Sequence, residues 1–161
     1  MEPVWQALQD SGFGANVRNS VWLYPLANVL HVLAVMGFFA LVAVMDARLI
    51  GGSGGAGARD TVRRLRPWTV ALFLLVAATG FILLTPEAVP IAANPAFQLK
   101  ALALLLALVN VAVNTLALRR PGEVTMAARV TAALSLILWL GVAALGRNAE
   151  AREAAANVLT R

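Results

Sequence analysis

His31 is the only histidine in the chain, and it falls inside an apolar run. It sits about 14 Å along a helix from Trp22 at a rise of 1.5 Å per residue, near the middle of a bilayer whose hydrocarbon is about 30 Å thick. An ionisable side chain at that depth costs about 2.5–3.5 kcal/mol unless satisfied, which makes it a functional candidate. Helical spacing puts Tyr24, Ala27, Asn28, Ala34 and Phe38 on the same face. The two alanines leave room beside the imidazole for a flat ring. A neutral imidazole there can ligate the iron of haem b, with Asn28 or a carbonyl one turn away fixing its tautomer and Tyr24 beside it. Two other roles remain open at this point: a neutral histidine hydrogen-bonded across helices, and a proton relay.

Lys100 is the second odd residue, opening an apolar run within Asn94-Pro95-Ala96-Phe97-Gln98-Leu99-Lys100. Its face runs through Ala103, Ala107 and Val111 toward Asn114, which lies about 40° off that line at 100° per residue. A functional lysine there pairs with a haem propionate or an acidic substrate group. The alternative is snorkelling, with the stem along the helix and the ammonium among headgroups. Asp46 and Arg48 read as a boundary pair at the end of the first run, and Arg48 is about 25 Å along the helix from His31, too far to serve a group bound there. Gly37, Gly80, Gly141 and Gly146 read as close helix contacts. No cysteine is present, and there is no phosphate loop, dinucleotide fingerprint or Ser/His/Asp set.

These residues need elements to hold them, and composition says which. Of the 161 residues 60% are hydrophobic and 13% charged, against roughly 25% charged in a soluble domain. A chain this short cannot bury that excess, so it faces lipid. Val21–Met45, Pro67–Leu84, Phe97–Leu118 and Met126–Leu145 are each long enough to span, and none alternates with period two. The expected fold is an all-α integral-membrane four-helix bundle: an interfacial amphipathic segment at 1–20, a transmembrane domain at 21–146 and a polar tail at 147–161. Ser11-Gly12-Phe13-Gly14 is expected to end a short amphipathic helix carrying Val4, Trp5 and Leu8. The first twenty residues lack the basic start of a signal peptide.

The net charge of +5 does not point to nucleic acid, because the basic residues sit at the ends of apolar runs. Of the thirteen, Arg48, Arg59, Arg63, Arg64, Arg66, Arg119, Arg120 and Arg129 share one side, and Arg18, Lys100, Arg147, Arg152 and Arg161 the other. The positive-inside rule then puts both termini outside and the Gly51–Arg66 loop inside, in a bacterial inner membrane with periplasmic termini.

Shifting the chain on itself by 69 residues lays Val42-Ala43-Val44 on Val111-Ala112-Val113 and His31 on Lys100. A shift of 66 lays Arg63 on Arg129 and Val76-Ala77-Ala78-Thr79-Gly80 on Val142-Ala143-Ala144-Leu145-Gly146. Two copies of one helical hairpin would account for this, and they would bring His31 and Lys100 toward a shared site.

Ser20-Val21-Trp22-Leu23-Tyr24-Pro25, Asn28 to Leu33, Asp46 to Gly51, Arg66-Pro67-Trp68, Thr79-Gly80 and Asn94 to Lys100 together resemble a family of bacterial four-helix inner-membrane proteins of unknown function. More distantly, a histidine in the first span and an aromatic-x-x-Lys opening the third resemble the haem-containing bacterial protoporphyrinogen oxidase and the copper-resistance membrane proteins with related b-type cytochrome subunits. That resemblance implies haem b near His31 with Lys100 beside it. Dihaem cytochromes use more than one histidine per chain, so here the iron is five-coordinate, takes Met or Lys as sixth ligand, or is completed by another subunit. The functions in view are a haem b or electron-transfer subunit, a non-catalytic anchor within a larger complex, and a protoporphyrinogen-oxidase-like enzyme. The lipid bilayer, a redox partner, other membrane subunits or a second copy are the partners in view.

Overall fold

The computed structural model describes residues 2–51, 55–118 and 124–159, and its fold is all-α, with no strand among the described residues. In chain order the helices are α1 (Glu2–Gln9), α2 (Gly12–Asn19), α3 (Leu23–Gly51), α4 (Gly55–Leu84), a 3-10 turn (Thr85–Glu87), α5 (Ala88–Ala93), α6 (Pro95–Leu118) and α7 (Met126–Leu159). Four segments are long and apolar enough to cross a membrane: Leu23–Gly51, Gly57–Ala93, Pro95–Leu118 and Met126–Ala144. Such lengths are dictated by the bilayer, where each backbone N–H must find its partner within its own helix.

Several boundaries differ from the sequence expectation. The N-terminal segment forms two helices, because Ser11 caps the second: its hydroxyl accepts from Gly14 N–H at 3.0 Å and donates to the Leu8 carbonyl. Helix α4 starts at Gly55 and carries Pro67 in its interior. The Arg- and Ala-containing turns before Pro67 are good helix formers, and membrane helices tolerate the one backbone bond a proline removes. Helix α7 runs on to Leu159 through an Ala/Glu/Arg-rich stretch of high helix propensity. Asn94 and Pro95 start α6 as their types predict, with the Asn94 side chain accepting from Ala96 N–H at 2.9 Å. Residues 52–54 of the glycine-rich loop, Arg119, Arg120 and Arg161 lie outside the described residues, as do the side chains at Leu145, Gly146, Arg147 and Arg152.

The chain divides into two compact units, Met1–Val42 with Arg64–Ala93, and Ala43–Arg63 with Asn94–Arg161. In the first, α1 and α2 dock on the 3-10 turn and α5. The Arg18 guanidinium donates to the Gln9 carbonyl at 3.0 Å and the Pro86 carbonyl at 3.1 Å. The Gln9 amide oxygen accepts from Val89 N–H at 3.0 Å, and Phe13 stacks on Phe81 with ring centroids 6.3 Å apart. Val17, Thr85 and Ala88 are fully enclosed there. Gly14 permits the approach, since a Cβ would stand 2.6 Å from the Gln9 carbonyl oxygen.

In the second unit α6 and α7 pair antiparallel: Asn110 reaches Thr131 while Asn114, one turn on, reaches Ala128. Leu49, Ala58, Val124, Ala128 and Ala132 form its apolar cluster, and the small residues let backbones come close.

Candidate functional site

The buried side of α3 is a single stripe through Ala27, Ala34, Phe38, Val42, Asp46 and Leu49, at the three- and four-residue steps of a helix. His31 lies on that stripe and is half-buried. In the first unit the stripe faces α4, with Phe38 against Phe73 at 5.8 Å between centroids and Gly37 placed where a Cβ would meet Leu72 at 3.2 Å.

His31 meets Thr79 and Gly80 of α4. Its Nδ1 is 2.8 Å from Thr79 Oγ1. The Thr79 hydroxyl donates to the Leu75 carbonyl at 2.7 Å, with the Val76 carbonyl at 3.2 Å. Since the hydroxyl has one hydrogen and spends it on Leu75, its oxygen accepts from the imidazole. A neutral His31 protonated at Nδ1 fits this arrangement. Gly80 completes the contact, because a Cβ there would stand 3.2 Å from His31 Cε1 and 3.7 Å from Nδ1. The ring therefore lies against the α4 backbone with Nδ1 turned to Thr79.

Sequence reasoning missed Thr79 as this partner, looking instead to Asn28 or a carbonyl one turn away. Asn28 is on the exposed flank of α3, and Tyr24 is 44% exposed. The signal was nonetheless present: Thr79-Gly80 is the only polar or glycine break in Val70–Leu84. The remaining candidates, Lys100 and Asn114, belong to the second unit. Lys100 is half-buried in the second turn of α6. The Asn114 amide donates to the Ala128 carbonyl at 3.1 Å and Thr131 Oγ1 at 2.7 Å, which makes it a tie between α6 and α7.

Among the described residues no three of His, Cys, Asp and Glu come together as a metal site. A single imidazole held at Nδ1 by a neighbouring helix suits a metal whose other ligands arrive with it, as in a porphyrin. Comparison with known proteins found no matching family model, curated protein or solved structure.

Proposed function

We propose that the protein is a small integral-membrane haem b-binding protein or electron-transfer subunit, with His31 as axial ligand through Nε2. The observation that carries this reading is the Thr79 contact: a hydrogen bond at Nδ1 is the arrangement that fixes ring orientation and ligand basicity at histidine-bound metals. The apolar surroundings of His31 also suit a porphyrin. Tyr24 and Asn28 border the site, and within the second unit Asn114 holds α6 on α7. Bound haem would supply a one-electron couple; His31 would hold its iron, Thr79 would orient the imidazole through Nδ1, and the surrounding apolar side chains would exclude water. The distribution of basic residues supports a bacterial inner membrane with both termini outside, and the protein works with a redox partner, another membrane subunit or a second copy.

The test is the absorption spectrum of detergent-purified protein from a haem-replete host, oxidised and reduced. A Soret band that shifts on reduction and is lost in His31→Ala is expected. A wild type without haem would leave the second reading, a non-catalytic membrane anchor. What favours that reading is that His31 and Asn114 both already tie one helix to another.

A further inference from the structure

Asp46 lies on the α3 stripe in the second unit, within the candidate span Leu23–Gly51. It is 7% exposed. Ser135 of α7, itself 5% exposed, hydrogen-bonds its carboxyl group, and the other oxygen, Oδ2, is buried without a hydrogen-bond partner among the described residues. Among the described side chains, the charged groups on the elements of that unit are Arg48 on α3, Arg59, Asp60 and Arg63 on α4, Lys100 on α6 and Arg129 on α7, and none donates to Oδ2. Arg59 donates to the Leu118 carbonyl at 2.7 Å, and Arg63 pairs with Asp60 at 3.0 Å.

The two asparagines on α6 of the unit are used differently. Asn110 donates to the Thr131 carbonyl at 2.8 Å, and Asn114 has two acceptors on α7. A carboxylate serving only as a tie would use both oxygens, and one left alone in apolar surroundings is costly. A cation would need several ligands, and no three acidic, His or Cys side chains cluster among the described residues. A proton needs one oxygen. Thr131, one turn before Ser135 on the same buried face of α7, continues the polar column to Asn114.

We propose that Asp46 is an intramembrane proton-binding site, its carboxyl taking up a proton at Oδ2 while Ser135 holds the other oxygen. Uptake forms the Oδ2–H bond with a proton drawn from water, and release returns that proton to water; nothing is oxidised or reduced. The site is separate from His31 and does not depend on haem.

Infrared difference spectroscopy of the full chain in lipid, as pH is varied, tests this. A neutral-carboxyl C=O band should vanish on alkalinisation, be absent in Asp46→Asn, and move to higher frequency in Ser135→Ala because the hydrogen bond to the carbonyl is gone. Circular dichroism checks folding, and Ser135→Ala makes the assignment should Asp46→Asn not fold. A folded protein showing no such band, one that persists unchanged at every pH, or one indifferent to both substitutions would overturn the proposal.

Discussion

In the unit that carries His31, α3 meets α4 through bulky side chains, Phe38 against Phe73 and Leu72 beside Gly37, with His31–Thr79 as the polar contact between them. In the unit that carries Asp46, α7 presents Ala128 and Ala132 with Thr131 and Ser135, and three polar contacts cross from α6 to α7. The difference follows from side-chain size. Small residues bring backbones close enough for amides to reach a neighbouring carbonyl, so polar groups become the adhesive. Where rings and leucines do the packing, the His31–Thr79 pair crosses between the helices.

The sharpest way to break that contrast is His31→Ala. It should abolish the Soret band entirely while helical content and membrane insertion stay unchanged, since lipid-facing apolar area drives insertion. Spectra and circular dichroism on one preparation decide it. A variant that fails to insert would make His31 another structural tie and erase the distinction between the regions.

Next in size is Gly14→Ala. Its Cβ would press on the Gln9 backbone oxygen, costing about 1–3 kcal/mol as overpacking does. Limited proteolysis should then cut between α1 and α2 faster than in the wild type, with the haem spectrum retained.

In the second unit, Asn114→Ala should lower stability by about 0.6–1.7 kcal/mol, the range of membrane side-chain hydrogen bonds. Asn110 still holds Thr131 in this variant, so reversible unfolding in mixed detergent should show a modest shift. The Asn110→Ala, Asn114→Ala double variant should lose more than either alone.

The smallest effect is expected at Thr79. Thr79→Val should keep haem but raise its midpoint potential, because an imidazole that no longer donates from Nδ1 is a poorer electron donor to iron; Thr79→Ser should match the wild type. Redox titration of the three proteins separates a positioning hydroxyl from a methyl that only fills space. Equal potentials would sink the positioning role.

Much of the architecture was legible in the chain. The spans, the alignment of His31 with Ala27, Ala34 and Phe38, and the Asn94-Pro95 helix start depend on composition, helical periodicity and capping chemistry, all local properties. The turns of α4 before Pro67 lie outside the expected span because their arginines interrupt the apolar run. Asp46 was read as a headgroup anchor because its place near the end of an apolar run suits one. Its burial depends on which way α3 is turned and on what Ser135 offers from α7.

By itself, then, the amino-acid sequence determined that lipid is the solvent, how many helices cross it, and which residues share a helix face. Only the tertiary structure decided which faces meet. The partner of His31 is 48 residues away, and the helices concerned are apolar nearly all round, so polarity does not mark the side that turns inward. That orientation is set by packing, by a glycine that admits a ring edge and a hydroxyl that can spend its hydrogen on its own helix. Those are properties of paired surfaces, which no single stretch of sequence contains.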